Sequence, residues 1–214
     1  MLNAVEALAR LREGNRRFVA GETTALASAA RRVALVAGQE PFAIILGCSD
    51  SRVPAELVFD QSFGDLFVIR VAGNVVAPSQ VGSVEFAASL YGTRLVVVMG
   101  HSQCGAVIAT LEELQGRPTN RSRNLRSIVD RVRPSVETVL NGRRDQDPGS
   151  LLRDAVRANV RTSVNHLRHG SELLERLIPE TGLLVVGAEY SLETGVVDFF
   201  ENVPDAAQQR LFSG

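Results

Sequence analysis

The residues of this sequence best able to do chemistry are two cysteines and a histidine. Cys48 opens the stretch C-S-D-S-R, and His101 and Cys104 bracket H-S-Q-C. Two thiolates and one imidazole are a ligand set that Zn²⁺ uses when a fourth coordination position is kept open for catalysis, whereas a structural zinc takes a fourth cysteine or histidine. His101 and Cys104 are three apart, which on a turn entering a helix puts both side chains on one face. At such a helix N-terminus the dipole favours the Cys104 thiolate. Asp50 and Arg52, beside Cys48, can pair and so fix the orientation of a carboxylate near whatever Cys48 holds. The blander alternatives are two small buried hydrophobes for the cysteines and a surface ion pair of little consequence for Asp50 and Arg52. The joint placement of the five residues favours the metal. A dithiol redox pair would typically read C-x-x-C, and here the residue three before Cys104 is His101. His166 and His169 lie in a polar helical region and read as solvated surface residues.

These side chains need a scaffold that brings distant segments together. Both cysteines come just after short, continuous apolar runs of the buried-strand kind: F-A-I-I-L-G before Cys48 and L-V-V-V-M-G before His101. Two further runs, Leu66 to Val71 and Leu183 to Glu189, have the same character, and G-V-V-D-F-F fits an edge strand. Helical patches alternate with them: Ser28 to Val36, Gln80 to Leu90 with Pro78 near its start, the segment after Cys104, Leu125 to Leu140, and Leu151 to Leu177. Strands rich in valine, isoleucine and leucine alternating with helices predict an α/β fold. The expectation is a single domain over residues 1–214, with a mostly parallel four-stranded sheet plus an edge strand and helices on both faces. The linker-like stretch Asn141 to Ser150 is expected to be a loop within that domain. In open sheets of this kind ligands bind beyond the carboxyl ends of the strands, where both cysteines fall. The N-terminal segment, with Leu2, Val5, Leu8, Leu11 and Phe18 near helical spacing, predicts an amphipathic helix rather than a signal peptide.

Composition narrows the partners. The chain has 214 residues, 45% hydrophobic and 22% charged, which excludes a disordered segment, a collagen-like fibre and a disulfide-stapled miniprotein. A net charge of -1 gives no electrostatic reason to expect nucleic acid or an anionic membrane. All 23 basic residues are arginine, so lysine Schiff-base and P-loop chemistry are excluded. No apolar run approaches the ~18 residues of a membrane span. A cytoplasmic location with both thiols reduced is expected.

The pair C-S-D-S-R and G-H-S-Q-C-G resembles the signature of the β-class carbonic anhydrases, C-x-D-x-R and H-x-x-C. The resemblance extends to E-G-N-R-R-F, G-Q-E-P, G-D-L-F-V-I-R-V-A-G-N and G-S-V-E-F-A, while Leu111 to Glu180 matches only in helical composition. It implies one Zn²⁺ per chain held by Cys48, His101 and Cys104, and an Asp50–Arg52 dyad that orients a zinc-bound hydroxide. It implies that Gln39 and Phe67 line the pocket from a neighbouring subunit, that Phe86 takes an aromatic wall position held by tyrosine in plant-type members, and that the Gly105 backbone lies close to bicarbonate. V-A-G-N replaces the N-V-A-N of many relatives, a change that bears on pocket shape.

The implied reaction is reversible hydration of CO₂ to bicarbonate and a proton. A catalytic zinc lowers the pKa of its water to roughly 7, so hydroxide is available at neutral pH. A homodimer or dimer of dimers is implied, with residues 1–40 as a helical arm packing on the partner. One subclass closes its site by moving the aspartate of C-x-D-x-R onto zinc, which here would make Asp50 a fourth ligand. That subclass binds regulatory bicarbonate with tryptophan, arginine and tyrosine. Arg70 and Tyr190 match two of these, and Ile45 stands at the tryptophan position. Competing readings are the same site turned to carbonyl sulfide or carbon disulfide, and a non-catalytic zinc or bicarbonate sensor, which loss of Asp50 or Arg52 would have favoured.

Overall fold

The computed structural model describes residues 2–25, 27–117, 122–142 and 147–205. Five strands form one sheet: β1 (Ala43–Gly47), β2 (Leu66–Arg70), β3 (Leu95–His101), β4 (Leu184–Tyr190) and β5 (Val197–Glu201). Their order is β2-β1-β3-β4-β5; the first four are parallel, and β5 pairs antiparallel with β4 as the expected edge strand. Among the described residues the helices are α1 (Ala4–Ala20), α2 (Ala29–Ala34), α3 (Ala55–Val58), α4 (Pro78–Leu90), α5 (Gly105–Leu114), α6 (Arg123–Gly142), α7 (Pro148–His169) and α8 (Glu172–Thr181). From β1 the chain passes to β2 on one side, and from β3 it passes to β4 on the other. The order therefore reverses between β1 and β3, and a crevice opens where their carboxyl ends part.

Every residue of β1, β3 and β4 is buried, which is why their sequences are continuously apolar instead of alternating. One sheet face, including Ile45, Val97, Met99 and Val186, packs under α1 and α3. The other, including Ile44, Leu46, Val96, Val98 and Val185, packs under α4, α7 and α8. A third apolar cluster lies beyond the carboxyl end of the sheet, where α5, α6 and α7 surround Cys48 and Cys104.

Helix α1 begins at a capping box, with Asn3 Oδ1 accepting from the Val5 and Glu6 amides and Glu6 accepting from the Asn3 amide. Its face of Ala4, Ala7, Leu8 and Leu11 is buried in the chain's own core, each leucine contributing on the order of 2 kcal/mol. Gly14 permits the close approach, since a Cβ there would lie 1.8 Å from the Phe59 carbonyl oxygen. Within the chain, the apolar face of α1 is covered by α3 and the sheet. Apolar side chains remain in solvent at the end of α1, where Val19 is 46% exposed, and around α2, where Val33 is 65% and Val36 85% exposed.

The helical stretch expected over Leu151 to Leu177 is two helices. Gly170 ends α7, and Ser171 caps α8 by accepting the Leu174 amide while its hydroxyl donates to Glu85. In the loop expected over Asn141 to Ser150, the two ends belong to α6 and α7, and residues 143–146 lie outside the described residues. Residues 118–121 of the expected helical region also lie outside them.

Candidate metal centre

Cys48 leaves β1 one residue past its end, and His101 is the last residue of β3, so the two meet at the crevice where strand order reverses. Gln103 takes a left-handed conformation (φ 57°) and turns the chain so that Cys104, at the N-cap of α5, faces the same point. The ligand atoms of Cys48, His101 and Cys104 all lie within 4.8 Å of one another, and all three residues are buried. No other such group of histidine, cysteine and acidic side chains occurs among the described residues.

The donors are prepared for a cation. His101 Nδ1 lies 2.8 Å from the Ser102 carbonyl oxygen, which can only accept, so Nδ1 carries the proton. In the neutral ring Nε2 then presents its lone pair, buried and with no hydrogen-bond partner. Burial works against a charge on His101, and the neighbouring Cys48 sulfur outweighs it, so the proton affinity of the ring is raised. Of the two sulfurs, Cys48 is held well below the usual thiol range by a hydrogen bond from Cys104, with further help from the Gly73 amide. Cys104 is pushed up by the same bond and by burial. A buried thiolate beside an unpaired imidazole nitrogen is costly unless compensated, and a metal ion satisfies all three donors together. The residues present fit zinc, whose preferred ligands are thiolate and imidazole.

Asp50 stands at the edge of this cluster, with Oδ2 4.0 Å from His101 Nε2. Arg52 grips it twice, Nε to Oδ1 at 2.9 Å and Nη2 to Oδ2 at 2.8 Å, and the Arg52 amide adds a third bond at 3.0 Å. These bonds hold the Asp50 carboxyl far below its ordinary range, so it is an acceptor at any working pH. Gly105 is the first residue of α5, and a Cβ built on it meets nothing within 4 Å.

Other expected residues are placed elsewhere. Gln39 Nε2 donates to the Tyr91 hydroxyl at 2.9 Å, and Phe67, Phe86 and Tyr91 pack ring against ring at 5.7 to 6.2 Å. Phe67 pairs with Ile44, four residues before Cys48, which along a strand is roughly 13 Å away from it. Within one chain this group is therefore apart from the three ligands. Arg70 and Tyr190 leave strands separated by β1 and β3. Arg70 donates to the Cys48 and Asp50 carbonyls, and Tyr190 is buried on the α1 face of the sheet, as is Ile45. His166 and His169 are exposed.

Two contributors escaped the reading of motifs: Gly73, whose amide donates to Cys48 Sγ at 3.4 Å, and Arg70 as a clamp on the Cys48–Asp50 backbone. The glycine in V-A-G-N was a local signal of an unusual turn, but its target lies 25 residues away.

The chain is similar to known proteins in both sequence and fold. The profile of a family described as carbonic anhydrase matches residues 43–197. The chain is 41% identical over 194 residues to carbonic anhydrase 2 of Mycobacterium tuberculosis, covering 90% of this chain and 91% of that one. It is 38% identical over 208 residues to a carbonic anhydrase of Mycolicibacterium smegmatis, covering 96% and 98% respectively. Among solved structures it resembles in fold one of two tetrameric β-carbonic anhydrases of Sordaria macrospora, with a TM-score of 0.67, 24% identity, and coverage of 79% and 85%.

Proposed function

Because the chain belongs to the β-class carbonic anhydrase family, we propose that it interconverts CO₂ and bicarbonate with one zinc ion per chain, held by Cys48, His101 and Cys104. The observation that carries this reading is the convergence of those three donors within 4.8 Å beside an Asp50 locked by Arg52. A zinc ion bound there supplies a water acidified to a pKa of roughly 7, and hence a nucleophile at neutral pH. Asp50 accepts the hydrogen of the attacking oxygen and so aims its lone pair, and Arg52 keeps Asp50 ionised and in place. Val75 and Val107, packed beside the sulfurs, offer an apolar wall suited to uncharged CO₂. In this reading the Gly105 amide, at the start of α5, binds the bicarbonate anion, as helix N-termini favour anions.

The site is completed in a homo-oligomer. Gln39 and Phe67 are remote from the ligands of their own chain, so they serve a second copy's pocket, with Phe86 as part of the same aromatic wall. Phe86 (51% exposed) and Leu90 (63% exposed) leave apolar surface beside this group for the partner. A dimer or dimer of dimers matches the tetrameric state of the Sordaria relative. The cytoplasm is the location that suits two free, buried cysteines, and no described helix is long and apolar enough to cross a membrane.

The test is metal analysis together with stopped-flow CO₂ hydration. About one zinc per chain is expected, with hydration that accelerates as pH rises through the water pKa of ~7. Zinc-loaded protein with no measurable hydration from roughly pH 7 to 9 would overturn the assignment.

A further inference from the structure

We propose that Asn159 and Ser163, on α7, are positioning residues for the metal centre, holding the Gly73–Asn74 turn so that the Gly73 amide meets the Cys48 sulfur. The proposal rests on the reading of Cys48, His101 and Cys104 as metal ligands. Helix α7 presents Ala155, Val156, Val160, Val164 and Leu167 to the protein interior. Asn159 and Ser163, one helical turn apart, share that interior face and are only 2% and 4% exposed. Polar side chains at such positions are costly unless they make hydrogen bonds, and apolar residues would pack the helix equally well.

The bonds these two side chains donate go to one place, while Asn159 Oδ1 accepts from Ser135 Oγ at 3.5 Å. Asn159 Nδ2 donates to the Gly73 carbonyl at 2.8 Å, and Ser163 Oγ donates to the Asn74 carbonyl at 3.0 Å. Gly73 (φ 69°) and Asn74 (φ 44°) are two left-handed residues in succession, a conformation a chain does not keep unaided. A side chain at Gly73 is also blocked, since a Cβ would come within 2.9 Å of the Ala106 Cβ. With both carbonyls tied to α7, the Gly73 N–H is left pointing at Cys48 Sγ, 3.4 Å away. A hydrogen bond donated to a ligating thiolate draws charge from the sulfur and fixes the direction of its remaining lone pairs. Helix α7, which touches none of the three ligands through these residues, thereby sets the electronics of one of them.

The experiment uses cobalt(II) in place of the native metal, because thiolate-to-cobalt charge-transfer absorption reports the sulfur directly. Cobalt affinity is measured by chelator competition on the full-length wild type, Asn159→Leu, Ser163→Ala and Ser163→Thr. The two deletions should weaken binding by about 10- to 100-fold and move the charge-transfer band to longer wavelength, as a more electron-rich sulfur requires. Ser163→Thr, which keeps the hydroxyl, should restore both. Folded variants with wild-type affinity and an unmoved band would overturn the proposal, even if their melting temperatures fell. Ser163→Ala removes one hydroxyl and is the milder change should Asn159→Leu not fold. In wild-type protein loaded with NMR-active cadmium, the Gly73 amide proton should couple to the metal through sulfur; absence of that coupling would also overturn the proposal. Wild-type protein that binds no cobalt would instead refute the metal centre itself.

Discussion

The Arg70 guanidinium donates to the backbone carbonyl of Asp50 at 2.6 Å, tying the last residue of β2 to the loop that leaves β1. A second bond reaches the Cys48 carbonyl at 3.2 Å, so one side chain spans the backbone of both Cys48 and Asp50. Replacing Arg70 with alanine should leave metal bound while loosening Asp50. We expect kcat to fall by about 10-fold with near-stoichiometric zinc, as for other groups that orient a metal site. Atomic absorption alongside CO₂ hydration separates this from metal loss; an unchanged kcat would show that the loop holds itself.

Arg52 acts on the side chain of Asp50 instead of its backbone. Arg52→Ala removes both guanidinium bonds and should keep zinc while lowering kcat by on the order of 10²-fold, the lower range for a positioned acid–base group. Asp50→Asn should behave similarly, because an amide cannot serve as the same acceptor. Closure of the site by Asp50 onto zinc would require both bonds to break. Crystals of the zinc protein grown near pH 6 and pH 9 with the Asp50–Arg52 pair intact in both would exclude such a switch.

Cys104 is 1% exposed and belongs to the cluster proposed to hold the metal. Cys104→Ser should lose most of the zinc, because a hydroxyl is a poor substitute for a thiolate. Full zinc occupancy in this variant would remove Cys104 from the ligand set.

Asp60 anchors α1 from beneath. Its fully buried carboxylate accepts from Arg17 at 2.5 Å, from the Thr24 and Ala25 amides at 2.8 Å each, and from the Thr24 hydroxyl at 3.0 Å. Burial alone would raise its pKa, but Arg17 and the other donors outweigh it and the net shift is downward. A depressed carboxylate adds stability above its unfolded pKa of ~3.9 and loses it as pH falls through the folded value. Asp60→Asn should therefore destabilise the protein by about 3 kcal/mol at neutral pH. Denaturant titrations should show that gap shrinking as pH drops below roughly 4. A gap independent of pH would mean that the charge is not what matters.

A pocket shared between copies, as proposed, makes a prediction about mixtures. Phe67→Ala should lower kcat/KM without changing zinc content, since Phe67 contacts no ligand of its own chain. Mixed oligomers of Phe67→Ala and Cys104→Ser chains should regain activity, because some pockets then combine an intact metal site with an intact partner wall. Mixtures no more active than their components, or a fully active monomer in sedimentation, would contradict a site built between copies.

The sequence by itself determined what can be read from neighbours along the chain. The all-apolar runs of β1, β3 and β4 demanded burial on both faces and hence a parallel sheet. Residue types determined the site's chemistry, because two thiols, an imidazole and a carboxylate placed just past strand ends have few other uses. The tertiary structure decided what depends on contacts across the fold. Strand order put the ends of β1 and β3 side by side, so that Cys48 met His101 across 53 residues of chain. It placed the apolar stripe of α1 on the chain's own sheet, a choice its helical period leaves open because any apolar surface would satisfy it. It also gave Gly73, Arg70, Asn159 and Ser163 their roles through single hydrogen bonds spanning 20 to 89 residues. Such bonds leave no periodic trace, since one donor and one acceptor meeting at about 3 Å is a property of the folded coordinates and not of any local pattern.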